Sequence, residues 1–386
     1  MEIAIKELGA IITGNTPSKK VKEYWNSKDI CFIKPDIIAD EGIDDITESN
    51  EYISEFARKK ARIVKENAIF VTCIGSIGKI GIAGSGEYAF NQQINVIIPN
   101  EKVRSKYLAY NLYFNKSKLV AIANAPVVPI INKSQFGDFI INIDTDINKQ
   151  DKAIEVLDKL TKIIQQRKNE IMYLDNLIKA RFVELFGDPL INSFEIETKP
   201  MTDVCEIIDG DRGKNYPTAD EFSDEGYCLF LNARNVTSTG FNFDTCMFIT
   251  KEKDETLRKG KLSRGDVILT TRGTLGNLAF YTGDIPFEHV RINSGMVILR
   301  MKQEVVDEVY FIEQFKMQLT DIKKKIASGS AQPQLPISTM KKINILIPDI
   351  EKQRQFADFV NQVNKSKVAV LKKYSQGGVL SYDNQF

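Results

Sequence analysis

The sequence predicts an α+β protein with a pseudo-twofold internal repeat, in which two similar α/β domains are joined by two long antiparallel coiled-coil helices. Three observations favour this class. The glycine pattern G-[S/T]-x-G occurs at 75–78 and again at 273–276, each time after an apolar run. Further segments recur in the same order, at offsets of 196 to 204 positions. A long segment with the apolar spacing of a helix follows each half.

Length and composition describe a globular protein of more than one domain. A chain of 386 residues is long for one domain, and 43% hydrophobic with 27% charged residues is ordinary for a water-soluble fold. No stretch approaches the ~20 uninterrupted apolar residues of a membrane span, and the N-terminus lacks the basic segment of a secretory signal. The cysteines show no C-x-x-C spacing, which favours reduced thiols and a cytoplasmic location: Cys31, Cys73, Cys205, Cys228 and Cys246.

The charge is balanced overall but clustered locally. The net charge is +1, from 52 basic and 51 acidic residues, which argues against a uniformly basic coat for nucleic acid. Compact basic clusters nevertheless occur at 19–22, 58–62, 102–106, 258–261 and 323–325. Such clusters can neutralise phosphates, and the competing interpretation of each one is a solvated loop or helix face.

The repeat fixes the order of the predicted elements. The matched pairs are 8–14 with 204–210, 32–34 with 230–232, 52–54 with 248–250, 68–83 with 266–281, and 91–94 with 293–296. Apolar, β-rich runs predict strands at 68–73, 93–98, 267–271 and 296–299, and helical patterns occur at 106–115 and 308–325. The predicted organisation is a domain at 1–147, a helix at 148–187, a domain at 188–347, a helix at 348–376 and a tail at 377–386.

The two long helices each carry an apolar seam. Residues 149–186 contain no Gly or Pro until Gly187 and Pro189 end the run, and a second helix is predicted from 350 to 374. Because neither seam is stable in water, we expect the helices to pair with each other; the alternative is that each packs on its own domain. The predicted pairing residues are Leu157, Leu160, Ile164, Ile171, Leu174 and Ile178 in the first helix, and Phe356, Phe359, Val363 and Val370 in the second.

A search for catalytic motifs predicts that the chain is not an enzyme and holds no cofactor or metal of its own. The single histidine, His289, has no cluster of ligand residues around it, and no phosphate-binding G-x-x-x-x-G-K-[ST] loop is present. An amino-methyltransferase would need a Pro-Pro tetrad, and the chain has no Pro-Pro. Neither Pro35-Asp36 nor Pro348-Asp349 is followed by the [D/E]-x-Lys of a restriction nuclease.

Several local motifs resemble one family. They are Gly14-Asn-Thr-Pro-Ser18, Phe32–Ile37, Gly75-x-x-Gly78-Lys79, Asp146–Gln150 and Leu185–Asp188 in the first half, and Leu231–Val236, Gly273–Gly276, Ser328–Leu335 and Pro348–Gln353 in the second. In their order and doubling, the chain resembles the specificity subunit of a type I restriction–modification system, from Ile5 to about Tyr374. Two departures are the segment 123–129, which lacks the Gly and Gln residues of its counterpart, and the absence of a Pro before Asp146.

The resemblance implies a non-catalytic subunit that recognises double-stranded DNA. Each domain would be a target recognition domain that reads one half of an asymmetric, bipartite target, and the helices would set the gap and dock two modification subunits. Those subunits would bind S-adenosylmethionine and methylate adenine, and restriction subunits would use ATP and Mg²⁺ for translocation and cleavage. Three alternatives remain open: a specificity protein of a related restriction class, a degenerate DNA methyltransferase, and a scaffold for protein partners.

The predicted DNA-contacting residues are polar side chains in loops, since Arg, Lys, Asn and Gln can form bidentate contacts with base edges. In the first domain they are Lys19, Lys20, Lys22, Lys34, Ser76, Lys79, Gln92 and Gln93. In the second domain they are Arg212, Lys214, Asn232, Arg234, Asn235, Arg272, Thr274 and Asn277. Arg272 is the strongest candidate, because it precedes a glycine turn that would direct a long cation outward. The glycines themselves are expected to serve tight backbone geometry.

Overall fold

The computed structural model describes residues 1–123, 128–327 and 334–376. The predicted tail at 377–386, residues 124–127 and residues 328–333 lie outside the described residues, and with them parts of two of the motifs quoted above. The chain divides into two compact units, Met1–Gln166 and Arg167–Phe386. Each unit has its own sheets and its own apolar cores.

The first unit is a mixed α/β domain. Its strands are β1 (Glu2–Ala4), β2 (Gly9–Thr13), β3 (Ile30–Ile33), β4 (Ile43–Ile46), β5 (Glu51–Ile53), β6 (Ile63–Lys65), β7 (Ile69–Thr72), β8 (Ile80–Ala83), β9 (Glu87–Phe90), β10 (Ile94–Pro99) and β11 (Ile140–Asn142). Its helices are α1 (Ser105–Phe114), α2 (Lys116–Ala121), α3 (Lys133–Asp138) and α4 (Ile147–Phe186), and the second half of α4 belongs to the second unit.

A five-stranded sheet forms the centre of the first unit, in the order β2-β10-β7-β8-β4. The first four strands are antiparallel neighbours, and β4 joins β8 in parallel. A second sheet has the order β5-β3-β9-β6, with β3 parallel to β9, and β1 pairs with β11.

The second unit repeats this plan. Its strands are β12 (Thr198–Pro200), β13 (Cys205–Asp209), β14 (Cys228–Leu231), β15 (Val236–Thr237), β16 (Gly240–Phe241), β17 (Phe248–Ile249), β18 (Val267–Thr270), β19 (Leu278–Phe280), β20 (Val290–Ile292), β21 (Met296–Met301) and β22 (Asn344–Leu346). Its helices are α5 (Met201–Val204), α6 (Lys251–Thr256), α7 (Glu308–Ala327), α8 (Ile337–Met340) and α9 (Ile350–Gln376).

Strand order confirms the internal repeat. The sheet β13-β21-β18-β19 has the same order as β2-β10-β7-β8, and the parallel pair β14 and β20 repeats β3 and β9. The pair β12 and β22 likewise repeats β1 and β11. The strands predicted at 68–73, 93–98, 267–271 and 296–299 are confirmed as β7, β10, β18 and β21, and the helices at 106–115 and 308–325 as α1 and α7.

The central strands β7 and β18 are continuous apolar runs because both of their faces are covered. In β7, Ile69 and Val71 belong to one core and Phe70 to another. In β18, Val267 and Leu269 belong to one core and Ile268 to another. Alternate residues of a strand point to opposite faces, so a strand between two cores needs apolar residues at every position.

The second half of α4 packs against α9 inside the second unit. Phe182 and Phe186 of α4 lie with ring centroids 5.4 and 5.7 Å from that of Phe356 in α9. Nearer the middle of α4, Asp175 forms an ion pair of 2.5 Å with Lys367. Residue numbers rise along one helix as they fall along the other at these contacts, so the paired segments are antiparallel.

The predicted pairing residues fall into two groups. In the second unit, Ile178, Phe356 and Val363 are buried in one core, and Leu174 and Phe359 pack against it. Ile171 is half-buried and Val370 is buried. The remaining three lie in the part of α4 that belongs to the first unit, where Leu157 and Ile164 are half-buried and Leu160 is exposed, and their pairing stays a prediction: Leu157, Leu160 and Ile164.

The long helices also pack on their own domains, which was the alternative raised by the sequence. In the first unit, Asp158 of α4 accepts hydrogen bonds from Lys106 and Tyr110 of α1. In the second unit, Tyr310 of α7 stacks on Phe182 of α4. Both expectations therefore hold in part, because each seam is wide enough to meet a domain and, in the second unit, the other helix.

A buried glutamine fixes the start of each long helix. Gln150 accepts from the N–H of Arg104 and donates to the carbonyls of Lys102 and Asp144, at 2.8, 3.0 and 2.7 Å. Gln353 accepts from the N–H of Asp307 at 3.0 Å and donates to the carbonyls of Val305 and Pro348 at 3.3 and 2.8 Å. The partners of the two glutamines lie at matching places. In each unit two partners lie in the loop before α1 or α7, and the third lies in the loop before the long helix. The two helices are thus attached to their domains by the same device.

Candidate nucleic-acid interface

The two glycine patterns form the same turn in both units. Gly75 and Gly78 have φ of +76° and +80°, and Gly273 and Gly276 have φ of +70° and +80°. Side chains are strained in this left-handed region, which explains the glycines at both places. The turn joins β7 to β8 in the first unit and β18 to β19 in the second.

A buried threonine hydroxyl forms hydrogen bonds to the backbone on both sides of each turn. The Thr72 hydroxyl donates to the carbonyl of Ser76 and accepts from the N–H of Lys79, at 3.0 Å for the second bond. The Thr270 hydroxyl donates to the carbonyl of Thr274 and accepts from the N–H of Asn277 at 2.9 Å. The predicted site residues Ser76, Lys79, Thr274 and Asn277 are therefore held at matched places by their backbones.

A lysine from a neighbouring helix lies over the second glycine of each turn. A Cβ at Gly78 would lie 2.8 Å from Cγ of Lys116, and a Cβ at Gly276 would overlap Cε of Lys323. Only a glycine leaves room for this close approach. The sequence showed Lys323 as one of a basic cluster, but it gave no signal that Lys116 and Lys323 occupy the same place.

In the second unit the turn forms one wall of an open groove. The groove is lined by Ala233, Arg234, Val236, Thr237, Ser238, Gly273, Thr274, Leu275, Asn277 and Lys323. Three predicted site residues, Arg234, Thr274 and Asn277, are brought together here. The lining contains two cations, several hydroxyl groups and an amide but no carboxylate, so it suits acceptor atoms such as phosphate oxygens and base edges.

In the first unit the loop after β3 is tied to the matching turn. The Lys79 ammonium donates to the carbonyls of Pro35 and Ile38, both at 3.2 Å, and pairs with Asp40 at 2.8 Å. The Lys116 ammonium donates to the carbonyl of Asp40 at 3.0 Å. The Lys79 side chain is only 12% exposed. This placement favours a role for Lys79 in fixing the loop, and a base contact by it stays a prediction.

Arg272 and Ile74 occupy the same place at the base of the two turns. Arg272 forms an isolated β-bridge with Gln334, and Ile74 forms one with Ile130. The Arg272 side chain is exposed and forms no ion pair among the described residues. The backbone therefore repeats, while the side chain changes from the half-buried Ile74 to the exposed cation of Arg272.

Two predicted lysines of the first unit share one carboxylate. Glu51 lies 2.5 Å from the ammonium of Lys19 and 2.5 Å from that of Lys34. The hydrogen bonds from Lys19 and Lys34 lower the pKa of the Glu51 carboxyl, and the bond to Glu51 raises the pKa of Lys34. Lys19 also lies 3.9 Å from the ring centroid of Trp25. A phosphate near these lysines would compete with Glu51.

The other predicted residues of the first unit are exposed or lie near the end of β9. Lys20, Lys22 and Ser76 are exposed. Gln92 is exposed and accepts from the Thr16 hydroxyl at 2.8 Å. Gln93 is half-buried and accepts from the amide of Asn91 at 2.8 Å.

In the second unit, two predicted asparagines shape a loop. Asn235 is fully buried, and its amide donates to the carbonyls of Asn242 and Thr245 at 3.1 and 2.8 Å. Asn232 accepts from the N–H of Arg234 at 2.8 Å. A base contact by Asn235 would first require its bonds to break, so its placement favours loop structure. The Asn277 amide likewise donates to the carbonyl of Val236 at 3.0 Å.

The last two predicted residues follow β13. Arg212 is exposed and donates to the Asp209 carboxylate at 3.1 Å and to the carbonyl of Ser294 at 3.2 Å. Lys214 is exposed and forms no ion pair among the described residues. Neither lies among the residues that line the groove.

The histidine and two of the buried cysteines, which could in principle act as catalytic groups or metal ligands, are packed among neighbouring side chains. The His289 ring stacks on Tyr227 with centroids 4.1 Å apart. Burial raises the pKa of the Cys73 and Cys205 thiols to about 12, so both are protonated near neutral pH. Within the described part of the chain, no cluster of His, Cys, Asp and Glu could hold a metal ion, and no helix is long and apolar enough to cross a membrane.

The sheet order and the glycine turn each occur twice, so the chain carries two copies of one domain plan. The family model of the type I restriction modification DNA specificity domain matches residues 1–173 and again residues 194–376. The chain therefore belongs to this family, as its sequence motifs predicted.

Individual relatives agree with this assignment. The chain is 24% identical over 396 residues to the type I restriction enzyme MjaIX specificity subunit of Methanocaldococcus jannaschii, covering 96% of this chain and 89% of that protein. It is 33% identical over 206 residues to the HindI specificity subunit of Haemophilus influenzae, covering 53% of this chain and 39% of that protein.

Two solved structures are similar in fold. One is the S subunit of a type I restriction-modification system from M. genitalium, with a TM-score of 0.53, 15% identity and coverage of 98% of this chain and 93% of that one. The other comes from work on complex assembly and conformational transition of a type I system, with a TM-score of 0.51, 13% identity and coverage of 98% and 93%.

Proposed function

We propose that this chain is the DNA-recognition subunit of a type I restriction–modification complex and that it is not itself catalytic. Each unit reads one half of a bipartite double-stranded DNA target. The observation that carries this proposal is the repetition of one backbone frame with different side chains at matched positions. Ile74 matches Arg272, and Lys79 matches Asn277, on turns that are otherwise alike.

Different side chains on a common frame favour different half-sites. Arg suits the O6 and N7 acceptors of guanine, whereas an isoleucine can only make apolar contacts, such as with a thymine methyl group. The groove beside Arg234 and Lys323 is open in the second unit, while Lys79 and Lys116 tie a loop to the matching turn in the first. An asymmetric target follows from this difference.

The proposal includes partner subunits and their cofactors. Two modification subunits dock on the long helices, bind S-adenosylmethionine and methylate adenine in the DNA that this chain selects. Restriction subunits supply translocation and cleavage driven by ATP with Mg²⁺. Exposed apolar side chains on the long helices support a docking role, among them Val156 and Ile163 in α4 and Val368 in α9.

Mapping methylated adenines tests the proposal directly. The chain is expressed with its modification subunits in a host that lacks other adenine methylation, and the methylated positions in the host DNA are sequenced. The expected pattern is two different short half-sites separated by a gap of fixed length. A single unsplit palindrome, or methylation that is unaffected when this chain is omitted, would contradict the proposal.

A further inference from the structure

In the first unit one side chain joins two basic loops. Asn15 lies in the loop after β2, where its Oδ1 accepts from the N–H of Arg62 at 2.9 Å and its Nδ2 donates to the carbonyl of Lys60 at 2.6 Å. The Arg62 guanidinium in turn donates to the carbonyl of Thr13, at the end of β2. The segment before β6 is thereby held against the loop that carries Lys20.

The second unit has the same clamp at the matching position. Asp211, 196 positions after Asn15, accepts from the N–H of Arg258, which is 196 positions after Arg62, at 2.8 Å. Its other oxygen accepts from the N–H of Gly213 at 2.8 Å. Asp211 is 6% exposed, and the N–H groups of Gly213 and Arg258 lower the pKa of its carboxyl. The loop that carries Lys214 is thereby held against Arg258.

Each clamp connects two loops that carry exposed cations. In the second unit, beside the N–H groups of Gly213 and Arg258, the charge of Arg258 also lowers the pKa of the Asp211 carboxyl, so Asp211 partly offsets that one cation. The side chains of Lys20, Lys59, Lys60 and Arg62 in the first unit, and of Lys214, Arg258 and Lys259 in the second, are exposed. Among the described residues none of these seven forms an ion pair, although acidic neighbours do pair with other cations of the same loops, namely Lys19 with Glu51, Arg58 with Glu55 and Glu87, and Arg212 with Asp209.

An exposed lysine commonly pairs with a carboxylate, and here Glu51, Glu55, Glu87 and Asp209 pair with other cations of the same loops. The repetition adds a second argument, because the clamp recurs at the same offset although Asn15 and Asp211 differ in chemistry. The two units share exposed cations and one hydrogen bond, from the N–H of Arg62 or Arg258 to the clamp residue. A partner that needs only charge at fixed places, without sequence readout, fits this arrangement.

We propose that each clamped pair of loops is a phosphate-contact surface for the backbone of duplex DNA. It is separate in role from the base-reading groove. The sequence alone leaves the clusters 58–62 and 258–261 open between phosphate neutralisation and a solvated face, and the clamps favour the first interpretation. This inference rests on the proposed function. Phosphate contacts position a protein on DNA and make its affinity depend on salt, and they carry no sequence preference.

The test compares the salt dependence of DNA binding in charge variants. Lys59→Gln with Lys60→Gln changes the first surface, and Arg258→Gln with Lys259→Gln changes the second, while the backbone groups of the clamps are kept. Lys341→Gln with Lys342→Gln is the matched control, since both lysines are exposed and lie outside the two surfaces. Each full chain is purified with its modification subunits and titrated into cognate and scrambled duplexes from low to high salt.

For each surface variant, the slope of log binding constant against log salt concentration is expected to become shallower by ~2, since each lost phosphate contact removes about 0.9. The ratio of cognate to scrambled affinity stays as in the wild type, and the control keeps the wild-type slope. The variants that keep the charge, Lys59→Arg with Lys60→Arg and Arg258→Lys, are expected to have the wild-type slope. This result would show that the shallower slope comes from lost charge and not from misfolding.

Three outcomes would contradict the inference or the proposed function, at different levels. A wild-type complex that binds duplex DNA, with unchanged slopes in both surface variants, would remove the phosphate surfaces and leave the proposed function standing. A loss of affinity for the cognate duplex alone would show that these cations read bases and do not contact phosphates. A wild-type complex that binds neither duplex would remove the proposed function itself.

Discussion

The side chain two residues after β2 is an amide, and its counterpart two residues after β13 is a carboxylate. Asn15 needs both hydrogen-bond polarities, because it accepts from the N–H of Arg62 and donates to the carbonyl of Lys60. Asp211 meets only donors, the N–H groups of Gly213 and Arg258. Residue type at this position is therefore decided by the backbone groups that the clamp closes, even though the two side chains have nearly the same shape.

Exchanging the two residue types should destabilise both units. In Asp211→Asn an N–H₂ group would face a backbone N–H, and in Asn15→Asp a carboxylate oxygen would face the carbonyl of Lys60. The change at the buried Asp211 is expected to lower the free energy of unfolding by about 1–3 kcal/mol, the cost of an unsatisfied buried polar group, and the change at the half-buried Asn15 by less. Urea unfolding measures it, with the exposed Asp224→Asn as the control. Midpoints equal to that of the wild type would contradict the role of the clamp.

Two glycine substitutions can separate turn strain from the position of Lys323. Gly273→Ala and Gly276→Ala both place a side chain at positive φ, which costs about 1–2 kcal/mol. A Cβ at Gly273 meets nothing within 4 Å, but one at Gly276 displaces the flexible end of Lys323. We expect similar unfolding midpoints and weaker cognate DNA binding only in Gly276→Ala. Equal binding by the two variants would show that the Lys323 ammonium does not contact DNA.

At the scale of elements, the buried glutamines decide how the long helices begin. Gln150 and Gln353 make matched sets of three bonds, so each helix leaves its domain in the same way. Their motifs, Asp146–Gln150 and Pro348–Gln353, were visible in the sequence, but their role was not. These hydrogen bonds fix the position of the helix along its domain, because apolar contacts alone are not directional.

Gln353→Leu should loosen the attachment of α9. The N–H of Asp307 and the carbonyls of Val305 and Pro348 would lose their partner, at a cost of about 1–3 kcal/mol. Hydrogen exchange should rise in the first turns of α9, and the urea midpoint should fall. Gln362→Leu, an exposed position on the same helix, serves as the control. Unchanged exchange in Gln353→Leu would contradict the anchoring role.

The elements that the sequence predicts well are those whose pattern is local. The runs that form β7 and β18 are apolar at every position because both faces are buried, and the seam of α4 repeats every three or four residues. Contacts between distant segments leave no such pattern. Nothing near Lys116 or Lys323 in the chain indicates that each lies over a glycine of the turn, and Asn235 looks like an exposed loop residue until its two distant carbonyl partners are seen.

At the scale of the whole molecule, the repeat separates what is shared from what differs. The shared parts are the sheet order, the turn with its threonine, the clamp and the helix anchor. The differing parts are side chains at matched positions, such as the half-buried Ile74 and the exposed Arg272. A protein that reads two half-sites independently needs this division, because changes in the second group leave the frame intact.

If the two units read DNA independently, a base-reading variant should affect one half-site at a time. Arg272→Ala should weaken binding of the cognate duplex by about ten- to hundredfold, the value of one good bidentate base contact, and relax sequence preference in one half-site only. Gln92→Ala, an exposed position of the first unit, should relax the other half-site. Affinity measured on duplexes randomised in either half, together with maps of methylated adenines, resolves the two effects. The gap should be unchanged in both variants, since neither substitution touches the long helices. If Arg272→Ala altered both half-sites or the gap, the two units would not act as independent readers.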